Sequence, residues 1–309
     1  MRVAVTSKAF SRNAALVQYL GDRFPAFKLA SGSRQMTEVE LIEFLSDVDA
    51  VILALERITP EVLRALPHLR VISKFGVGTD NIDFAACEAH RVPVLVRPGV
   101  NRESVAELSL ATTLMLMRNV YQASQQLSRG TWHKDGGIGL FDRTVGLIGF
   151  GQVGTAFAEL LAPFRCRVLV SDIVDKSADC ARLNATQVSL ETVLTESDVV
   201  SLHCPLSPET TGLVDRRFFG AMKQGAILVN TARGEIVDFE ALKAALRDGR
   251  LRGAAVDVYE TEPPTDLSLL GLPNLIPTPH IGGNSAQATW AMGVSAVDML
   301  AEFSRCRTC

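Results

Sequence analysis

The sequence predicts an α/β protein made of two doubly wound parallel-sheet domains, the second inserted into the first. Three observations carry this. Short apolar runs alternate with helical patterns over roughly the first hundred residues, which is how a parallel sheet with right-handed crossovers reads. A second strand–helix series runs from about Thr144 to Thr278. Between its first strand and first helix lies Gly149-Phe150-Gly151-Gln152-Val153-Gly154, a G-x-G-x-x-G in mid-chain rather than near the start. A length of 309 residues is itself long for one core.

In the first domain, strands are expected at Val3–Val5, Ala50–Leu55, Arg70–Ser73 and Pro93–Val96, and helices at Thr37–Leu45, Pro60–Leu66 and Phe84–His90. Thr37 with Glu40 three positions on makes a capping box, and Asp83 is placed to cap the third helix. Arg97-Pro98-Gly99-Val100 breaks the pattern. A long helix then runs from Asn101 towards Met117, with Leu108, Ala111, Leu114, Met115 and Met117 apolar on more than one face. Such a helix is expected to be buried, between domains or subunits. In the second series the strands are Arg143–Ile148, Val168–Ser171, Val199–His203, Ala226–Asn230 and Gly253–Val258. A final helix over Ser285–Phe303 is expected to return to the first domain. The expected division is therefore 1–98 plus 285–309 around an inserted 99–284.

Composition excludes several classes of function. Hydrophobic content of 47% with 21% charge is that of an ordinary globular protein. A net charge of −3 without a Lys/Arg cluster leaves no footprint for nucleic acid. The longest apolar stretch, Leu108 to Met117, is too short and too interrupted by Ser and Thr to span a bilayer. Met1 leads straight into a strand, so no signal peptide is expected. Six scattered cysteines form no framework, which fits a reducing cytoplasm. Cys306-Arg307-Thr308-Cys309 is formally C-x-x-C but stands alone on a polar tail, so it reads as incidental, and no metal is expected.

The glycine loop acquires meaning from its neighbours. It follows a buried strand and opens a helix, and Asp172 stands 18 residues past its last glycine, at the end of the next apolar run. Strand, tight turn, helix N-terminus and acid together form the Rossmann fingerprint for a dinucleotide, with pyrophosphate on the helix and the acid on the ribose 2′-hydroxyl. Three polar segments follow the apolar runs Ala226–Val229, Gly253–Val256 and Asn274–Pro277, which read as strands: Asn230–Gly234, Asp257–Pro264 and Thr278–Gly283. Ligands collect at such carboxyl ends of an open α/β sheet. The segments supply Arg233, Glu262 and His280. Reducing a 2-oxo acid delivers hydride to the carbonyl carbon and a proton to its oxygen, and imidazole is suited to exchange that proton near neutral pH. A carboxylate on the far ring nitrogen fixes the tautomer and favours the imidazolium. A guanidinium fork holds the substrate carboxylate and polarises the carbonyl. His280 is thus read as acid/base, Glu262 as its partner and Arg233 as the substrate clamp. His203-Cys204 resembles a thiol–imidazole pair, but neighbours on a strand point to opposite faces.

The ordered segments Gly76–Asp83, Asn101–Glu107, Gly149–Gly154, His203–Leu206, Asn230–Asp238, Asp257–Pro264 and Thr278–Gly283 resemble the D-isomer-specific 2-hydroxyacid dehydrogenase family, most closely its 3-phosphoglycerate dehydrogenases. The resemblance implies a Rossmann NAD-binding domain inserted into a flavodoxin-like substrate domain, with Arg233, Glu262 and His280 catalytic. It implies NAD contacts from Gly151, Gln152 and Val153, from Asp172 on the adenosine ribose, and from His203, Cys204 and Pro205 along the adenine side. Further contacts are implied from Thr210, from Thr231, Ala232 and Arg233, from Asp257 at the carboxamide, and from His280, Gly282 and Gly283. Backbone at Val77 and Gly78 resembles the loop that takes the substrate carboxylate, and Asn101 a substrate-side contact. A homodimer built largely through the nucleotide domain is implied as well.

The resemblance leaves the substrate open. A phosphorylated substrate needs cations, for which Arg57, Lys74 and Lys134 are the candidates, and the loop Leu53–Thr59 matches the phosphoglycerate pattern only in part. Phosphoglycerate, and with it serine biosynthesis, leads; glyoxylate or hydroxypyruvate reduction is the alternative, and Lys74 keeps phosphite oxidation as a minor one. The chain stops soon after its last helix, so no regulatory domain and no serine feedback are expected. A reading of another class is an NADH-sensing corepressor, which the intact Arg-Glu-His set and the lack of extra segments argue against. Asp172 repels a 2′-phosphate, and Ile173-Val174 bring no arginine to receive one. Turnover should therefore be faster with NADH than with NADPH; the reverse order would overturn the role given to Asp172.

Overall fold

A computed structural model describes residues 1–32 and 34–306. The chain divides into two compact units: Met1–Asn101 joined by the segment from Gly283 onward, and Arg102–Gly282. Each is an α/β unit on a wholly parallel sheet. The C-x-x-C segment extends to Arg307, Thr308 and Cys309, which lie outside the described residues.

The first unit contains β1 (Val3–Val5), β2 (Phe27–Leu29), β3 (Ala50–Leu53), β4 (Val71–Lys74) and β5 (Val94–Leu95), in the flavodoxin-like order β2-β1-β3-β4-β5. β1, β3 and β4 are buried at every residue, which is why they read as unbroken apolar runs. Alternate side chains feed two cores. On one face Ala4, Val51, Leu53 and Ile72 meet Leu41, Leu45, Val62 and Leu63. On the other, Val3, Val5, Ile52 and Val71 meet Phe10, Leu16 and Leu20 together with Met292, Ala296 and Leu300 of the last helix, Ala286–Cys306. The Ser73 hydroxyl donates to the Ala296 carbonyl (2.8 Å), and Tyr19 to Asp298 (2.9 Å). Two distant stretches of sequence thus share one core.

The Thr37–Glu40 capping box and the Asp83 cap are both formed. Two helices and a strand had no clear sequence signal. Lys8–Ser11 and Ala14–Gly21 are short, and Ser7 and Asn13 start them by accepting from the Phe10 and Leu16 N–H groups. β2 is a three-residue, half-buried edge strand. β3 ends at Leu53 rather than Leu55, because the Ala54 N–H turns to the Thr6 hydroxyl (2.9 Å) and its carbonyl accepts from Lys74.

The second unit carries β6 (Thr144–Ile148), β7 (Arg167–Ser171), β8 (Ala185–Gln187), β9 (Val199–Leu202), β10 (Ala226–Asn230), β11 (Leu251–Val256) and β12 (Leu275–Pro277). Their order, β12-β11-β10-β9-β6-β7-β8, reverses between β6 and β9, the switch point of a Rossmann sheet. The long helix, Arg102–Met117, corrects one expectation. Ala111 is exposed and Leu108, Leu114 and Met115 are only half-buried, whereas Ser109, Thr112 and Thr113 are buried. Those hydroxyls donate to carbonyls one turn back, Val105 (2.9 Å), Leu108 (2.8 Å) and Ser109 (2.7 Å). Small, internally satisfied side chains let the helix lie close on the Gln152–Leu161 helix and on β10 and β11. A further helix, Val120–Ser128, buries none of its residues. No described helix is long and apolar enough to cross a membrane.

Replacing Ser73 with Ala removes a buried hydrogen bond and should cost about 1 kcal/mol. Hydrogen exchange should then quicken in β4 and in the Ala286–Cys306 helix together. A change confined to β4 would show that the helix does not share that core.

Candidate active site

The glycine turn depends on a close approach. Gly149 has φ +91°, and a Cβ there would lie 2.6 Å from the Cys204 nitrogen. Only glycine lets the end of β6 press on the backbone after β9. The Gln152–Leu161 helix begins at Gly151 with no side-chain cap, so its first N–H groups, at the positive end of the helix dipole, are available to a phosphate. Asp172, just past β7, accepts from the Phe150 N–H (2.7 Å) and the Val174 N–H (3.0 Å), which ties the turn to the acid. Arg102 Nη1 stands 3.4 Å from Gln152 Oε1, a cation at the turn that sequence reading did not single out.

Next to the turn, the His203 ring meets Phe157 edge-on (centroids 5.4 Å apart), and its Nε2 is 2.9 Å from the Ser201 hydroxyl. Burial lowers the His203 pKa to about 3 and pushes the Cys204 thiol up to about 11. A reactive thiolate–imidazolium pair requires the opposite shifts. Thr210 donates to the Pro205 carbonyl (2.7 Å) and accepts from the Ser207 N–H (2.8 Å), fixing that loop.

Asn230, fully buried at the end of β10, shapes the next segment. Its Oδ1 accepts from the Ala232 N–H (3.0 Å) and its Nδ2 donates to the Arg233 carbonyl (2.9 Å). Thr231 lies 3.0 Å from the Ser109 hydroxyl, and Arg233 Nη1 donates to the Ala232 carbonyl (2.7 Å). A Cβ on Gly234 would fall 2.1 Å from the Tyr259 carbonyl carbon, so glycine brings the chain after β10 against the chain after β11. There the Tyr259 N–H donates to Glu262 Oε1 (3.1 Å). His280 Nδ1 lies 2.8 and 3.0 Å from the two Glu262 oxygens, with 35% of the His280 side chain and 29% of Glu262 exposed. Burial pushes the Glu262 carboxyl up. The His280 hydrogen bond and charge, the Tyr259 N–H and the Arg233 charge outweigh it and hold it below the usual carboxylate value. The ionised carboxylate makes Nδ1 the donor nitrogen.

The turn carrying His280 is built on Asp257, which is 2% exposed. One carboxylate oxygen accepts from the Thr278 hydroxyl (2.6 Å) and the Ile281 N–H (2.9 Å), the other from the Gly282 N–H (2.8 Å). These bonds hold His280 at φ +53°, a left-handed conformation that costs a residue with a Cβ about 1–3 kcal/mol. Ser104 donates to the Gly282 carbonyl (2.6 Å) and so braces the same turn. Asp257 is thus the anchor of the turn, a role the sequence did not reveal.

Of the residues expected on the substrate side, Val77 and Gly78 are half-buried in the loop after β4 of the first unit, which also holds Asn101 and Gly283. Asn101 Oδ1 is buried without a hydrogen-bond partner. Arg57 and Lys134 are exposed, and Lys74 is buried. Among the described residues no group of three or more His, Cys, Asp or Glu could hold a metal ion.

Residues 110–282 match the family described as D-isomer specific 2-hydroxyacid dehydrogenase, NAD binding domain. The chain belongs to that family. This D-2-hydroxyacid dehydrogenase is 35% identical over 274 residues to the hydroxypyruvate reductase of Thermotoga maritima, covering 87% of this chain and 89% of that protein. It is 39% identical over 274 residues to the D-3-phosphoglycerate dehydrogenase of Haemophilus influenzae, covering 86% of this chain but 66% of that one. The chain spans about half the length of other D-3-phosphoglycerate dehydrogenases that it matches. The solved D-lactate dehydrogenase of Aquifex aeolicus, complexed with NAD and lactic acid, superposes with a TM-score of 0.86 at 27% identity, covering 98% of this chain and 96% of that one. The dehydrogenase uses NAD, and the uncapped helix start and Asp172 suit it.

Unfolded histidine takes a proton near pH 6.5, whereas His203 in the fold does so only near 3. The unfolded chain binds more protons in that window, so stability should fall as pH drops through it. Glu262, held below its ordinary value, adds a loss as pH falls through its folded value. In His203→Gln the Tm should fall less between about pH 6.5 and 4 than in the wild type. Equal profiles would contradict the burial of a neutral His203.

Proposed function

We propose that the protein interconverts a small, unphosphorylated D-2-hydroxy acid and its 2-oxo acid, with hydroxypyruvate or glyoxylate as the 2-oxo acid. The observation that carries the catalytic part is the His280 Nδ1–Glu262 pair, which leaves Nε2, on the far side of the ring, as the proton-exchanging atom of this reading. NAD, when bound, supplies and accepts the hydride at the substrate's second carbon. His280 Nε2 gives its proton to the carbonyl oxygen during reduction and takes it from the hydroxyl during oxidation, while Glu262 stabilises the charged ring. Arg233 holds the substrate carboxylate and polarises the carbonyl, with its backbone fixed by Asn230. In the first unit, the same reading gives the backbone N–H groups of Val77 and Gly78 to a substrate carboxylate.

The choice of an unphosphorylated acid rests on the cations. Lys74, one of three candidates for a phosphate, already donates to Ala54 and Asn81, and Arg57 stands exposed beside the buried Glu56. The coverage of the hydroxypyruvate reductase, 89% of its length, points the same way. The 39% identity to a D-3-phosphoglycerate dehydrogenase supports the competing reading, with serine biosynthesis as its pathway. The NAD-binding unit also exposes Val120, Leu127, Trp132 and Phe141, which supports a homodimer through that unit, and the composition supports a cytoplasmic location.

The test is kcat/KM for hydroxypyruvate, glyoxylate, phosphohydroxypyruvate and phosphite side by side. A preference for phosphohydroxypyruvate would overturn the unphosphorylated reading. Tight NADH binding without turnover of any acid would instead favour a sensor. His280→Ala should lower kcat about 10²–10⁴-fold with little change in NADH affinity, and an unchanged kcat would remove His280 from the chemistry. Arg233→Lys should lower kcat/KM about ten-fold or more, because one ammonium cannot replace the fork.

A further inference from the structure

Lys74 closes β4 and is 4% exposed. Taking an ammonium out of water is costly unless its donors are satisfied, so its partners indicate what the charge is for. Lys74 Nζ donates to the Ala54 carbonyl and to Asn81 Oδ1 (2.9 Å). Asn81 Nδ2 in turn donates to the Ala54 carbonyl (3.2 Å) and the Glu56 carbonyl (2.6 Å). Backbone bonds repeat the link: Phe75 N–H to Leu53 (2.9 Å), Ile58 N–H to Asn81 (2.9 Å) and Asp83 N–H to Ile58 (3.0 Å). The loops that follow β3 and β4 are therefore stitched together on both sides of Gly76–Asp80, the stretch that holds Val77 and Gly78. Gly76 at φ +123° makes the bend that leaves the strand.

We propose that Lys74 is a positioning residue for carboxylate recognition. Its buried ammonium, locked to Ala54 and Asn81, holds the Gly76–Asp80 loop in the one shape that presents the Val77 and Gly78 N–H groups to a 2-oxo acid. This rests on the assignment of those N–H groups to the substrate carboxylate. An apolar side chain at position 74 would leave the Ala54 carbonyl and Asn81 Oδ1 without this donor, and the loop would sample shapes that cannot bind. The loss then falls on binding of the acid rather than on the rate of its turnover. A buried ammonium that donates to the Ala54 carbonyl and to Asn81 Oδ1 serves the loop.

The test compares Lys74→Met, Asn81→Ala and the double variant by steady-state kinetics with hydroxypyruvate and phosphohydroxypyruvate, by NADH titration, and by oxamate binding to the NADH complex. Each single change should raise KM and the oxamate Kd about ten- to hundred-fold, the range for losing a hydrogen bond to a charged group. The kcat and the NADH Kd should stay within about three-fold, and the penalty should be the same for both substrates. The double variant should be little worse than either single one, because the two residues act through one linkage. Gly78→Pro, which deletes one N–H, separates the two levels of the argument. If Gly78→Pro raises KM while Lys74→Met and Asn81→Ala match the wild type, Lys74 has no positioning role. If Gly78→Pro and Lys74→Met both leave KM and oxamate binding unchanged, the carboxylate loop is wrongly assigned and the proposal falls with it. A penalty confined to phosphohydroxypyruvate would make Lys74 a phosphate ligand and overturn the proposal. Loss of NADH affinity in Lys74→Met would reveal a general folding defect, and that too would count against a role confined to the loop.

Discussion

The carboxylate of Asp257 organises the turn that carries His280 in the second unit. It is buried, and its two oxygens accept from one hydroxyl and two backbone N–H groups of the turn that carries His280. Those bonds offset a left-handed backbone at a histidine, a conformation that is unfavourable for a residue with a Cβ. Once the turn is fixed, the imidazole falls within 3.0 Å of both Glu262 oxygens, and Glu262 is itself tied to the Tyr259 N–H. Ser104 reaches the same turn from the long helix, and Ser109 reaches Thr231. The helix expected to be apolar on more than one face therefore braces two strand ends with hydroxyl groups.

A parallel logic holds in the first unit. In the proposed reading the Gly76–Asp80 loop acts through backbone N–H groups, which need a shape rather than a residue type. The shape is set by Lys74 and Asn81, which sit at the edges of the loop and tie it to its neighbour. The two units thus use one device, a buried polar group whose hydrogen bonds define a turn, with a carboxylate in one and an ammonium in the other.

Much of this was legible in the sequence, for identifiable reasons. Central strands such as β3 and β10 are buried on both faces and read as apolar runs. The Thr37–Glu40 box and the glycine turn are local motifs whose geometry follows from a few neighbouring residues. Glu262 and His280 could be paired because each follows a strand of a parallel sheet, which brings strand ends together. What stayed hidden depended on partners distant in sequence. Ser104, Ser109 and Asn81 are unremarkable polar residues until the fold places Gly282, Thr231 and Ala54 beside them. The same holds for the edge strand β2 and for the long helix, whose buried side carries hydroxyls and so defeats a reading by apolar periodicity.

The dependence of the His280 turn on Asp257 can be tested by a double-mutant cycle on kcat for the best 2-oxo acid, with Asp257→Asn, His280→Ala and the pair. An asparagine cannot accept at both ends, so the turn should relax, and the single change should lower kcat substantially. In the His280→Ala background it should then cost little more, because the residue it positions is already gone. If the two penalties multiply instead, Asp257 acts independently of His280, and the account of the turn as its anchor is contradicted.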